Sequence, residues 1–545
     1  MDEALGCGGF VPEERLVAIE RKLRPIWHTL PKLSGVAAGE GSIDRRTLRY
    51  LVHRHFNRES ALHIRGFEPS RPANTFGWGD ADIISQRVPA FVESALESRH
   101  REANGFDIRD AAHMVATLEQ LVFDFQGAVL AKAYEEISHP VDTSLSESDL
   151  SKLLEAYMIH WLVGDNQETV EILMSEEDTL RSTIPHWDGI AAFVRGQVKA
   201  LDHRRETAPV AAAAGKLSRP SHNALEKRYS FEDAHGIVGD VTRSFASFWE
   251  SECSVMKAQL VDMDVHRTGR VPLSKFYGTG LEVDWRFAES EQYLRELGAL
   301  DETSWRGKQV IIPNYIQAAS NCIVSSSHYL VCCKNDCEAL FEEIEAAVGA
   351  PMAPPAVILA AVTNVSSHLT LDDDAPPALE GSPTWQLQMI ADTHGGEVPL
   401  HGRLFAQWMH YAFPHECPFP HMTGTTSAVS PTEYGTGHLA STDDMRRQVD
   451  NATPSFEAAD AQELEWMSQW SPEEELLTGH MSSSLRAPWE HGAAVGGVAA
   501  LLLAAAVLAG RLPGRKADSD AGGLGATLGR GVFGLQLQES KAHFV

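Results

Sequence analysis

The chain is short of basic residues for its length, has no paired-cysteine metal motif and carries no standard catalytic signature. Forty-six Lys and Arg stand against 75 Asp and Glu, a formal net charge of −29. A general nucleic-acid surface needs clustered cations to displace counterions from phosphate, so that class is excluded, and adsorption to anionic lipid is disfavoured. No CxxC pair occurs among the seven cysteines, which removes zinc ribbons and thioredoxin-like redox sites. HExxH, GxSxG, Walker and kinase motifs are missing as well. Sustained β-branched alternation is scarce, which argues against a large sheet. The opening residues, MDEALGCGGF, are acidic and hold no apolar stretch, so no secretory leader is read there.

What is present is helical periodicity. ERLVAIERKLRPIWHTL, VPAFVESALES, DAAHMVATLEQLVFDF and SDLSKLLEAYMIHWLV space apolar residues three and four apart, the mark of helices with one buried face. The expected fold is mainly α. After a flexible start (1–12), a helical domain covers 13–206 and a linker 207–224, rich in Ala and Pro, follows. A second helical domain containing Cys and His covers 225–480. Residues 481–491 are juxtamembrane, 492–510 a transmembrane helix and 511–545 a disordered tail. Asp372, Asp373 and Asp374 read as a solvated loop.

The 492–510 run, GAAVGGVAALLLAAAVLAG, contains no charge, and at 1.5 Å per residue it spans about 28 Å, close to the hydrocarbon thickness of a bilayer. Gly492, Gly496, Ala500 and Ala504 form a small-residue stripe that would let two helices pack as a homodimer. Arg511, Arg515 and Lys516 follow the run, which places the tail in the cytosol by the positive-inside rule. Sequons at Asn364-Val-Ser and Asn451-Ala-Thr agree with a lumenal or extracellular domain, while the missing leader leaves a cytosolic domain with a tail-anchor-like topology as the alternative. Cys253, Cys322, Cys332, Cys333, Cys337 and Cys417 are compatible with three disulfides or with buried free thiols; six cysteines permit fifteen pairings and the sequence does not choose among them.

A short echo runs through the chain. RRTLRYLVHRHF (45–56) aligns with HGRLFAQWMHYAF (401–413), and a Gly-x-aliphatic opening precedes both: Gly41-Ser-Ile43 and Gly396-Glu-Val398. A third copy, Gly269-Arg-Val271, lies in Asp264-Val-His-Arg-Thr-Gly-Arg-Val-Pro-Leu-Ser-Lys275. Between helices this is the shape of an EF-hand loop, Asp264 at the first position and Gly269 at the sixth. The ligand set argues against Ca²⁺: the third position is His266 and the twelfth, where a bidentate Glu belongs, is Lys275. We therefore expect degenerate, ion-free EF-hand-like turns.

The densest polar feature runs from His394 to His421. His401, His410, His415, Cys417 and His421 supply the N and S donors that Zn²⁺ or Cu would use, though at no standard spacing. With Asp264 they make up the candidate metal ligands. The alternative for these residues is structural: packed or capping histidines and a turn stapled by Cys417.

VPLHGRLFAQWMHYAFPHECPFPH, SNCIVSSSHYLVCCKNDCEALFEEIE, RGKQVIIPNYIQ and RLVAIERKLRPIWHTLP together resemble a large, uncharacterised dinoflagellate protein family whose members are sometimes labelled EF-hand domain-containing. That resemblance covers about residues 13–480. It implies a multi-copy algal protein, often with a membrane segment, and no active site to transfer. The expected function is a single-pass membrane protein whose acidic helical domain acts by binding, sensing or scaffolding. The alternatives are a metal- or thiol-dependent enzyme centred on the histidine cluster and a structural surface protein.

Overall fold

The computed structural model describes residues 11–33, 41–67, 105–164, 167–184, 186–207, 227–282, 286–303, 307–365, 382–422 and 424–451. All of them fall in one compact unit, residues 1–485. The expected anchor at 492–510 with its small-residue stripe, the tail, nearly all of the 207–224 linker and the Asp372–Asp374 loop lie outside the described residues. Helix dominates and the strands are two or three residues long, as the scarcity of alternating apolar sequence predicts. Helices α1 (Glu13–Thr29), α3 (Ile108–Glu136) and α4 (Glu147–Val163) follow three of the periodic stretches, α2 (Arg45–Ser60) carries the 45–56 echo, and VPAFVESALES (88–98) lies outside the described residues.

Short loop-to-loop pairings organise these helices. Ile43, just before α2, exchanges two backbone hydrogen bonds of 2.9 Å with Phe106, just before α3. Leu145, before α4, does the same with Tyr229 at 2.8 and 3.0 Å, and Tyr229 precedes α8 (Phe231–Met263), which follows α5 (Gln167–Ser175), α6 (Glu177–Thr183) and α7 (Trp187–Thr207). Each bridging residue is buried, and the next residue is a helix N-cap: Asp44, Asp107, Ser146 or Ser230. The four caps accept the backbone N–H three residues on, satisfying donors that the first helical turn leaves open.

The pattern continues through the second half. Strand β2 (Arg270–Pro272), between α8 and α9 (Leu273–Glu282), pairs antiparallel with β4 (Gln309–Ile311), Val271 facing Val310. Here α10 (Glu291–Glu296) and β3 (Leu300–Asp301) precede β4, and α11 (Ile312–Ile316) follows it. Further on, β7 (Met352–Ala353) joins α12 (Asp336–Val348) to α13 (Pro355–Thr363), and β8 (Val398–Pro399) joins α14 (Ser382–Thr393) to α15 (Arg403–Ala412); Ala353 faces Val398. Helices α16 (Pro431–Tyr434) and α17 (Thr442–Asp450) close the described chain, and the bridge Glu289↔Leu439 ties their connection to the loop before α10. All three Gly-x-aliphatic openings thus become inter-loop bridges. Their glycines, Gly41, Gly269 and Gly396, hold φ of +73°, +71° and +100°, backbone that other residues reach only with strain.

Three apolar cores fill the unit. The first gathers α1 to α8 and takes in Val324, Tyr329 and Val331, so it draws on both sides of residues 207–224. The second lies around α9 to α11, and the third around α12 to α15. The spine is α8, whose 33 residues span about 50 Å. Its first half packs Ile237, Val241 and Phe245 into the first core, and its second half sends Cys253, Met256 and Leu260 into the second. Strand β1 (Leu62–Ile64) pairs with β6 (Tyr329–Val331), which pairs with β5 (Val324–Ser325). Three disulfides staple this region: Cys322–Cys332 across the β5–β6 hairpin, Cys253–Cys333 from the hairpin to α8, and Cys337–Cys417 from α12 to the turn after α15.

One helix among the described residues, α3, is long and apolar enough to cross a membrane. It is internal rather than C-terminal. A core helix passes the same composition test: α3 buries Ala112, Met114, Val115, Leu118 and Leu130, and its buried Gln126 donates to Thr242 of α8 at 2.6 Å.

Candidate functional site

Asp264 ends α8 and opens the loop that the sequence presents as EF-hand-shaped. Its carboxylate is already committed. Oδ2 accepts from the Gly269 backbone N–H at 2.7 Å and from His415 Nε2 at 3.0 Å, while Oδ1 lies 3.3 Å from the His266 amide and 3.4 Å from the Thr268 hydroxyl. Asp264 and His415 are both almost wholly buried. The segment carrying His415 presses on the loop: a Cβ at Gly269 would lie 2.1 Å from the Pro414 carbonyl oxygen. Lys275, at the twelfth position, donates to the Met263 carbonyl at 3.3 Å. The turn has the helix–loop–helix shape, but an imidazole and backbone amides occupy the oxygens a cation would need.

The histidines of the 394–421 cluster do not converge. His394 Nδ1 donates to the Ile390 carbonyl at 2.8 Å. Tyr50 donates to His401 Nδ1 at 3.0 Å, and His401 Nε2 faces the Thr29 hydroxyl at 3.0 Å. His410 Nδ1 donates to the Cys417 carbonyl at 2.7 Å, and its Nε2 accepts from Arg270 at 3.0 Å. His421 Nε2 donates to the Gly298 carbonyl at 2.6 Å. Cys417 is held in a disulfide and offers no thiolate. Among the described residues no group of three or more His, Cys, Asp or Glu could hold a metal. The five-residue ligand set expected for Zn²⁺ or Cu is therefore dispersed over separate hydrogen bonds, because the chain turns at 396–402 and 413–421 carry each ring to a different neighbour. Burial, with Arg270 alongside, pushes His410 down to about 3. Burial and then Arg54 hold His401 well below the usual imidazole range, and burial lowers His421. These rings are neutral fittings of the core.

Two features were not legible in the sequence. One is a buried ionic knot. Arg54 on α2 meets Glu345 at 2.7 Å and Glu338 at 2.7 Å, both on α12, and its guanidinium lies 4.7 Å from the Phe341 ring centroid. His401, in the turn between β8 and α15 and 3.3 Å from Glu345, joins the same knot. Nothing in the sequence flags Arg54 among the many arginines, since its partners lie almost 300 positions away.

The other is a cleft of about 220 Å³ between α4 and α7. Leu154, Met158, Trp187, Ile190 and Val194 form its apolar floor, and Glu155, Arg195, Lys199, Asp202 and Lys227 stand among its charged lining. Burial raises the Glu155 carboxyl, with Arg195 opposing. Asp202 accepts from Lys227 at 2.6 Å and from the Tyr229 hydroxyl at 3.1 Å, which ties this wall to the Leu145–Tyr229 bridge. The volume falls below the roughly 300–1,000 Å³ of small-ligand pockets. The sequence signal was present in the second apolar edge of α4 and α7 but could not be told from core. Compared with known proteins, the chain matches no family model, no curated protein and no solved structure.

Proposed function

We propose that the chain is a membrane-held binding protein built from EF-hand-like helix pairs that have exchanged the cation for internal polar contacts, and that the α4–α7 cleft takes one face of a basic amphipathic helix from a protein partner. The cleft carries this reading: a trough with an apolar floor and a charged rim, between helices of a loop-paired unit, is the form that helix-in-groove recognition uses. Support for an ion-free ancestry comes from the Asp264–His415 contact and from Lys275 at the twelfth loop position. The rim itself is balanced, with Glu147, Glu155 and Asp202 against Arg195, Lys199 and Lys227, so the preference for a basic partner rests on the chain's net charge of −29, which steers a basic partner in preference to an acidic one. The run 492–510 is the proposed anchor.

The test uses the full chain in mild detergent and three designed helices: Leu/Lys amphipathic, Leu/Glu amphipathic, and a scrambled Leu/Lys sequence of identical composition. The Leu/Lys helix binds, equally with Ca²⁺ and with EDTA, and the other two do not. Ala191→Lys, which sets a charge in the cleft lining, removes binding and leaves the circular dichroism spectrum unchanged. Equal binding of the scrambled helix, or binding indifferent to Ala191→Lys, would overturn the cleft reading. For the anchor, Leu502→Arg costs about 2.5–3.5 kcal/mol on insertion and shifts much of the protein into the carbonate-soluble fraction. A wild-type chain that carbonate extracts freely would remove the membrane from the proposal.

A further inference from the structure

We propose that Asn364 and Asn451 are N-glycosylation sites on a domain that matures in an oxidising lumen or outside the cell. The inference is independent of what the cleft binds. Of the chain's ten asparagines, two begin Asn-x-Ser/Thr: Asn364-Val-Ser and Asn451-Ala-Thr. Both are exposed, whereas Asn57, Asn314, Asn321 and Asn335 are buried or half-buried. Each ends a helix, Asn364 as the C-cap of α13 and Asn451 as the C-cap of α17. Asn364 Nδ2 donates to the Ala360 carbonyl at 2.9 Å, and a glycosylated amide keeps one N–H, so this bond is compatible with the modification.

The compartment is argued separately, from the cysteines. Six of the seven are paired, and Cys332 and Cys333, adjacent in sequence, reach different partners. Three disulfides of this kind belong to oxidising environments, while cytosolic thiols stay reduced. N-linked transfer occurs in the same secretory space, so the two observations point to one side of the membrane.

The chemistry closes on both counts. Asn Nδ2 bonds to the anomeric carbon of a lipid-diphosphate-linked oligosaccharide; the bond from that carbon to the diphosphate oxygen breaks, the lipid diphosphate leaves with the electron pair, and Nδ2 loses one proton. Each disulfide forms as two thiols pass two electrons and two protons to the disulfide of a thiol oxidoreductase, which is reduced to a dithiol.

The experiment takes the full chain from the membranes of the cells that make it. Amidase release of N-glycans in ¹⁸O-water converts an occupied asparagine into labelled aspartate, which peptide mass spectrometry reads directly. Label is expected at positions 364 and 451 and at no other asparagine. Alkylation of the same denatured sample before reduction should modify Cys7 alone, and after reduction all seven cysteines. Label at one position overturns the proposal for the other. Absence of label at both overturns glycosylation, and modification of all seven cysteines without reduction overturns the oxidising compartment.

Discussion

Mild acid should unfold this domain through histidines that the fold keeps neutral. His53, His55, His401 and His410 are all less than a tenth exposed. Burial, with His63 and Arg54 adding to it, pushes His53 down to about 3. Burial likewise pushes His55 to about 4 and His410 to about 3, and holds His401 well below the usual range. In the unfolded chain each titrates near its ordinary value of about 6.5. The folded value is the lower one, so the unfolded state binds the extra proton. The stability is therefore present above pH ~6.5 and is lost as the pH falls toward the folded values. At pH 5.5 each of His53, His55 and His410 costs about 1.4 kcal/mol, and the three together about 4, with His401 acting in the same sense, against a typical total of roughly 5–15 kcal/mol. Burial raises the Glu289 carboxyl, which titrates in the opposite sense, so the decisive quantity is a difference between variants. His53 Nδ1 has no protein hydrogen-bond partner, and His53→Leu strands no other group. Urea unfolding followed by circular dichroism at pH 7.5, 6.5 and 5.5 should show wild type losing stability at each step, with His53→Leu losing about 1.4 kcal/mol less between 7.5 and 5.5. Equal losses for the two proteins would refute the argument.

Other consequences are as direct. Arg54→Met leaves Glu345 buried and uncompensated and should cost about 3–5 kcal/mol in urea unfolding, much of it recovered when Glu338 and Glu345 are also replaced by Met; no recovery would mean that Arg54 acts through packing alone. Replacing Cys337 and Cys417 by Ser opens a loop with a sequence separation of 80, against 10 for Cys322–Cys332. Chain entropy gives about 4–5 and about 3 kcal/mol respectively, so the urea midpoint should fall further for the longer loop. Calorimetry with Ca²⁺ should give no saturable heat at micromolar concentrations, since His415 and the Gly269 amide hold the Asp264 carboxylate. Saturable binding abolished by Asp264→Ala would show that those contacts yield to the ion.

By itself the sequence determined what local chemistry controls. Apolar residues three and four apart in α1, α3 and α4 made helices, because that spacing brings them onto the same face of a helix. The Gly-x-aliphatic openings marked tight turns, since a positive φ at Gly41, Gly269 and Gly396 is a property of the residue itself. Lys275 in the ligand position argued against calcium from composition alone. Tertiary structure decided everything that depends on distant partners. The histidines between 394 and 421 are close in sequence yet belong to different neighbours, Tyr50, Arg270, Asp264 and Gly298, because a chain that turns between helices sends successive side chains in divergent directions. The choice among fifteen cysteine pairings, the Arg54 knot and the α4–α7 cleft likewise came only with the packing. Each needs residues tens to hundreds of positions apart to be placed within a few ångströms, and no local propensity encodes that placement.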